Sequence, residues 1–318
     1  MPFTVASSPW SGSAPSPAYT GRFIPEIWAG KLIEKFYNAT VLAAIANTDY
    51  EGEISNYGDK VTIRQKPTIS IANYEAEMSL VVTRPSSNIV ELNIDQGRYF
   101  NTVLDDVMEI QSDLNQLSMW ADDASEQMKI NIDTYCLDSG MQGAAAAQNR
   151  GATAGALSNI NLGAAGGTNG SNAIALSSTN VIDTIVNAGQ VLDEQNIPET
   201  GRWMIIAPWV ASLIKKSEIR DASLSGDGTS MLRNGRLGMT DRFTLYSSNL
   251  LPTDTEGTAT LRTLYAGHSH GLTFASQLSK TETLRSESTF GTLMRGLQVF
   301  GFKVTDGTAL VEIVTVPA

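Results

Sequence analysis

The sequence VLDDVMEIQSDLNQLSMWADDASEQMKINIDTYCLD, residues 103–138, contains no glycine or proline and holds nine acidic residues against one basic residue. Its apolar residues recur at steps of three and four, which places them on one face of an α-helix. We predict a helix that Thr102 caps and Gly140 ends. At roughly 1.5 Å per residue it would be about 50 Å long. The apolar positions are Val107, Ile110, Leu114, Leu117, Ala121, Ala124, Met128, Ile132 and Tyr135.

The segment before this helix, residues 52–95, alternates between apolar and polar residues as β-strands do. The alternation predicts two long strands that flank a polar tip at residues 74–87. Because a two-stranded ribbon is marginal alone in water, we expect it to pack on another subunit. The candidate residues for that interface lie in the tip and in a short amphipathic helix that Pro25 begins: Trp28, Phe36, Tyr74, Glu75, Glu77 and Arg84.

Residues 139–179 combine eight glycines and eleven alanines with a single charged residue, Arg150. Such a composition does not build a core, so we expect a surface insertion there. Beyond it, the periodicity predicts an α+β fold with a sheet. The predicted helices are 181–195 and 208–216, and the predicted strands are 203–207, 243–247, 261–266, 281–286, 294–304 and 310–316.

The composition favours a soluble, globular chain. Of its 318 residues, 42% are hydrophobic and 17% are charged, enough for a substantial core. The first ten residues do not resemble a signal peptide, and no run of 18 apolar residues could cross a membrane. Cys136, the single cysteine, is expected to be buried, and a disulfide within the chain is excluded.

Acidic residues dominate the first part of the chain. The net charge is −11, and residues 1–138 hold nine basic and nineteen acidic residues. Tight binding of nucleic acid needs clustered Lys and Arg, which the sequence lacks. The acidic face of the long helix is therefore either a solvated surface or a docking site for a basic partner. We take Asp105, Asp106 and Glu109 as its candidate contacts for such a basic partner.

One stretch matches a catalytic motif. Gly267-His268-Ser269-His270-Gly271 has the G-x-S-x-G spacing of a hydrolase nucleophile elbow and follows a predicted strand. That fold places its catalytic His after the Ser and the acid, but no His follows His270. The two His are also too few for a zinc site. We predict no enzymatic activity, no metal and no cofactor.

Five phrases, in this order, resemble the major capsid proteins of tailed bacteriophages, whose Hong Kong 97-type capsid fold is shared with encapsulins. The order of predicted elements, from N-terminal arm to hairpin, long helix and later sheet, is similar as well. The resemblance covers nearly the whole chain. The phrases are Phe23–Trp28, Gly52–Ile63, Trp203–Pro208, Tyr246–Pro252 and Arg295–Gly301.

The resemblance implies a division of the chain into the family's parts. It implies an N-terminal arm at 1–51, an extended β-hairpin loop at 52–102 and the long spine helix of a peripheral domain at 103–138. An axial domain would span 139–275 and include the insertion 139–179. Return strands of the peripheral domain would span 276–306, and a C-terminal strand 307–318.

The resemblance also implies a mechanical function. Copies of the chain would form pentamers and hexamers of an icosahedral virion shell, assembled in the host cytoplasm around double-stranded DNA that is not tightly bound. Partners would be a separate scaffolding protein, a portal and, in some relatives, a decoration protein, with no membrane involved. Some relatives cross-link a hairpin Lys to Asn of another subunit. No Lys lies between Lys66 and Lys129, so we expect a non-covalent shell.

Two alternatives remain at this point. An encapsulin-like compartment would share the fold but enclose an enzyme instead of a genome. An isolated enzyme would not form particles at all. The size of the purified protein and the content of any particles distinguish these three functions.

Overall fold

The computed structural model describes residues 37–38, 40–49, 60–64, 66–67, 69–74, 78–80, 82–85, 87, 89–106, 116–217, 238–287 and 289–318. These residues form a mixed α+β structure with helices packed on sheets, which confirms the predicted fold class. Within them, the strands group into a two-stranded ribbon, a three-stranded sheet and a seven-stranded sheet.

The three-stranded sheet has the order β10 (Leu272–Arg285), β11 (Gly291–Val304), β3 (Gln96–Asp105), and both pairings are antiparallel. Strand β3 corrects the predicted start of the long helix at Val103. Alternation continues through Asp105, and a ten-residue ladder with β11 holds these residues extended. Thr102 therefore caps no helix, and its hydroxyl lies 3.4 Å from the carbonyl oxygen of Met294.

Helix α2 spans Gln116–Tyr135 and continues into a π-helical turn, Cys136–Gly140. The predicted end at Gly140 is confirmed; a β-carbon there would collide with the ring of Phe302. The helix packs on the sheet through Phe300, whose ring meets Tyr135 edge-on at 5.9 Å and stacks on Phe274 at 5.7 Å. Cys136 is fully buried beside them, as predicted, and burial raises the pKa of its thiol.

The seven-stranded sheet follows the order β4 (Ile174–Leu176), β12 (Leu310–Pro317), β9 (Ala259–His268), β5 (Arg202–Ile206), β7 (Phe243–Ser247) and β6 (Met239–Thr240), with β8 (Thr253–Glu256) on β9. The strands predicted within this sheet are confirmed, while β4, β6 and β8 were missed because they have only two to four residues. The strand predicted at 281–286 is only the last part of β10, which begins at Leu272. The C-terminal strand β12 lies inside this sheet, between β4 and β9.

Two helices cover this sheet and close the main core. Helices α3 (Val181–Glu194) and α4 (Pro208–Lys216) agree with their predicted bounds, and Pro208 occupies the first turn of α4. Strand β5 is buried at all five positions, so both of its faces are packed. Arg202 on this strand is also buried, and its guanidinium bonds Asp193 at 2.7 Å and the carbonyl oxygens of Ile197 and Pro198.

The Ala/Gly-rich tract is part of the core, which corrects the predicted surface insertion at 139–179. Met141, Ala154 and Leu162 are fully buried within the main cluster. Strand β4 pairs in parallel with β12. Small residues let the backbone approach other strands closely; a β-carbon on Gly163 would overlap the carbonyl oxygen of Val314. The composition therefore reflects close packing.

Asn149 fixes the tract to the C-terminal strand. Its side chain is fully buried, and its amide nitrogen donates to the carbonyl oxygens of Thr308 at 2.6 Å and Leu310 at 3.0 Å.

We predict that Asn149→Ala lowers the free energy of unfolding of the unassembled protein by about 1–3 kcal/mol, because it leaves two buried carbonyl groups without this donor. Chemical denaturation measures this change. The control is Gln142→Ala on the exposed side of the same tract, which should change stability by less than about 0.5 kcal/mol. Equal stability of the two variants would contradict the assigned role of Asn149.

Candidate assembly surface

Five highly exposed apolar side chains lie between the two strands of the ribbon. Strand β1 (Lys60–Arg64) pairs antiparallel with β2 (Ile89–Asn93), so the regular strands are shorter than predicted. Between them, the described residues of 66–87 have no regular secondary structure. Ile71 is 91% exposed and Val82 is 94% exposed, and Ile69, Tyr74 and Leu80 are each at least 65% exposed. Apolar surface concentrated in this way marks a contact region.

The base of the ribbon is fastened to its own chain. Leu92 and Ile94 are buried against Ala275 of β10, and Val61, Ile63 and Val299 pack around them. At Gly301 of β11 the backbone of Asn93 and Ile94 leaves no room for a β-carbon. The base is therefore fixed to its own chain, whereas Ile69, Ile71, Tyr74, Leu80 and Val82 beyond it are not buried by the described residues.

A second exposed apolar surface lies on the three-stranded sheet, on the face opposite α2. The register aligns Tyr99 with Leu297 and Val103 with Leu293. Tyr99 is 79% exposed, and Leu297 and Leu284 are about 40% exposed. An ion pair between Glu282 and Arg295 crosses the face between these rows and lowers the pKa of Glu282. A groove of about 460 Å³ runs beside Tyr99 and Leu297.

The opposite face of this sheet is already occupied by α2. Arg98 donates to Asn131 at 2.7 Å, and its guanidinium lies 5.1 Å above the ring of Tyr135. Because neighbouring strand residues point to opposite faces, Arg98 serves the fold whereas Tyr99 is left for a partner.

Several acidic side chains of the long helix are engaged within the chain, so its outer surface is less free than predicted. Asp133 is buried and accepts the backbone N–H groups of Val41, at 2.6 Å, and Leu42, at 3.2 Å. It thereby holds helix α1 (Leu42–Ile45), and burial raises its pKa. Asp123 accepts the hydroxyl of Tyr37 at 2.8 Å, and Glu126 pairs with Lys129 at 2.6 Å.

The predicted contact residues are placed as follows. Tyr74 and Arg84 are exposed on the ribbon segment. Asp105 lies half-buried at the end of β3, and Asp106 beside it forms a two-pronged ion pair with Arg285. Outside the described residues lie Trp28, Phe36, Glu75, Glu77 and Glu109. Sequence reasoning missed Tyr99 and Leu297, because their adjacency depends on the register between β3 and β11.

The G-x-S-x-G stretch is a structural turn. Ser269 lies in a short 3₁₀ turn that leads from β9 directly into β10, whereas a nucleophile elbow leads into a helix. Gly267 and Gly271 both pack against Ala309, where a β-carbon would collide. His268 contacts the carbonyl oxygen of Thr200 at 3.0 Å through Nε2 and accepts the N–H of His270. The glycine spacing is therefore explained by packing.

Two further searches of the described residues give negative findings. No group of three or more His, Cys, Asp or Glu side chains in this part of the chain is arranged to hold a metal ion. Among the described helices, none is both long and apolar enough to span a membrane.

The comparisons point to one family. A family model described as phage capsid protein matches residues 90–313, and no curated protein sequence matches significantly. A solved structure from Mycobacterium phage Che8 has 26% identity and a TM-score of 0.74, over 91% of this chain and 96% of that one. The capsid of cyanophage P-SCSP1u has 15% identity and a TM-score of 0.70, over 93% and 94%.

A third similar structure is the capsid of a native GTA particle, with 15% identity and a TM-score of 0.65, over 96% of this chain and the whole of that one. These matches do not favour the encapsulin-like alternative. Because the family model covers well over half of the sequence, this chain belongs to the phage capsid protein family and is a major capsid shell protein, not an enzyme.

Proposed function

We propose that copies of this chain form pentamers and hexamers that close an icosahedral shell around phage double-stranded DNA. The single observation that carries the proposal is the exposure of Ile69, Ile71, Tyr74, Leu80 and Val82, which the described part of their own chain does not cover. Burying one Ile or Val side chain contributes about 1.5–3 kcal/mol. Repeated in every subunit, such contacts would hold a shell together without chemical bonds.

The parts of the chain would then have distinct mechanical roles. The residues 52–102 would act as an extended loop whose base stays on its own sheet, while the exposed side chains beyond the base contact a neighbouring copy. The exposed sheet face at Tyr99 and Leu297 would be the surface that receives them. Residues 103–138 would stiffen the peripheral domain, to which 276–306 return. Residues 139–275 would form the axial domain together with the C-terminal strand 307–318, and residues 1–51 would serve as an arm.

The charge of the chain suits a container that must release its contents. The chain has a net charge of −11 and lacks clustered Lys and Arg side chains to neutralise DNA phosphates. The genome would therefore be enclosed without tight binding. Assembly would take place in the host cytoplasm with a separate scaffolding protein, a portal and, where present, a decoration protein.

Mature particles isolated from phage-producing cells should appear in electron microscopy as closed shells of this chain, and the DNA inside them should resist added nuclease. The double variant Ile71→Asp/Val82→Asp should reduce the yield of particles at least tenfold, because it places charge in two buried contacts. The free energy of unfolding of its unassembled subunit should lie within about 0.5 kcal/mol of that of the original protein, since both side chains are exposed in the subunit.

Ser70→Asp/Thr83→Asp is the matched control, because it adds the same two charges at exposed polar positions in the same segment. It should assemble normally. Absence of this chain from the shell, or mature particles that enclose an enzyme instead of DNA, would contradict the proposed function.

Subunits from mature particles should run as a single monomer band in denaturing electrophoresis. The reason is that no Lys lies between Lys66 and Lys129, so the tip of the loop, residues 74–87, has no Lys to form a cross-link. A ladder of covalent oligomers would refute this prediction.

A scaffolding protein with a basic segment would contact Asp105, Asp106 and Glu109. Reversal of all three to Lys should abolish its co-sedimentation with the subunits. Because the reversal also breaks the ion pair of Asp106 with Arg285, Arg285→Ala is the control, and it should retain binding. Unchanged binding after the triple reversal would exclude this contact.

A further inference from the structure

A loop that is held by several hydrogen bonds lies within the Ala/Gly-rich tract, at residues 154–160. Ala154 and Ile160 close it by exchanging both backbone hydrogen bonds at 2.8 Å. The carboxylate of Glu194, at the end of α3, accepts hydrogen bonds from three residues of this loop. That carboxylate accepts the N–H of Ala156 at 2.7 Å, the N–H of Leu157 at 2.9 Å and the hydroxyl of Ser158 at 2.5 Å.

Further contacts restrict the same loop. Gly155 has a φ of +96°, and a β-carbon there would collide with the carbonyl oxygen of Ser158. Gln190, one turn before Glu194 on α3, donates to Ser158 at 3.1 Å and to Glu194 at 3.2 Å. The hydrogen bonds from Leu157 and Ser158 lower the pKa of Glu194 to about 2. The carboxylate of Glu194 therefore stays charged at neutral pH.

Leu157 stands at the tip of this loop and is 93% exposed. Single exposed leucines are common and need no partner, but two features distinguish this one. Its loop is ordered before any contact, so binding costs little conformational entropy. Its own N–H and that of Ala156 are already bonded to Glu194, so the tip can enter an apolar contact without burying unpaired donors.

We propose that Leu157 is an assembly contact whose side chain inserts into a second copy of this chain. The inference rests on the proposed function, because the shell is what brings copies together. Residues 151–162 contain no charged residue, so a nucleic acid or a charged scaffold segment would find no ionic partner at the tip. A copy of the chain supplies the apolar surface that a leucine requires.

The first test compares particle yields under identical conditions. Leu157→Asp should lower the yield at least tenfold while leaving the thermal unfolding of the unassembled subunit unchanged. Thr153→Asp, an exposed position before the loop, adds the same charge away from the tip and should assemble like the original protein. If Leu157→Asp forms particles at the original yield, the inference fails while the proposed function stands. If the original protein forms no particles, the proposed function fails.

The second test does not depend on a disruptive variant. Leu157→Cys introduces a thiol at the tip, while Cys136 is buried. A bulky maleimide should label the new thiol in unassembled subunits at least tenfold faster than in particles made from this chain alone. Particles dissociated before labelling provide the reference for full reactivity. Equal rates in particles and free subunits would overturn the inference.

The role of Glu194 in holding the loop can be tested with the variant Glu194→Gln. This variant should raise hydrogen exchange at the N–H groups of Ala156 and Leu157 at least tenfold, because the charged acceptor is lost, and should reduce particle yield less than Leu157→Asp does. The pKa of Glu194 is lowered from 4.5. The contribution of its carboxylate to the stability of the folded loop is therefore present above pH 4.5 and is lost as the pH falls through about 2. Unchanged exchange in Glu194→Gln would contradict a loop held ready for contact.

Discussion

Apolar surface that the described part of the chain does not bury is the constraint on which the account of this protein depends. The base of the ribbon is fixed by Leu92 and Ile94 against β10, whereas Ile71 and Val82 beyond it are more than 90% exposed. The fold of such a subunit is closed around its own core, but part of its apolar surface stays exposed in the free subunit. In the proposed shell, neighbouring copies would cover this surface.

Much of the architecture follows from local patterns. Helices α3 and α4 and strand β7 were predicted almost to the residue, because each has a clear period and a start signal such as Pro208. The boundary between β3 and the long helix was not, since Val103 and Leu104 fit both periods. The ladder with β11, which no local pattern reveals, keeps them extended.

Other features depend on tertiary context. Small residues at 139–179 suggested a loop, but Gly163 and Asn149 bring the tract against β12. Acidic residues suggested a continuous outer surface, but Asp133 points inward to cap α1. The candidate surface could be predicted only in part. Tyr74 and Arg84 were predicted from the tip between the alternating segments and are exposed, whereas Tyr99 and Leu297 meet only because two distant strands share one register.

A reconstruction of the assembled particle at near-atomic resolution tests the central claim most directly. The account predicts that the side chains of Ile71 and Val82 lie buried against an adjoining copy, with the base of the ribbon unchanged on its own β10 and β11. If these side chains instead fold back onto their own subunit, or face solvent in the closed shell, the segment is not what joins the copies and the account is wrong.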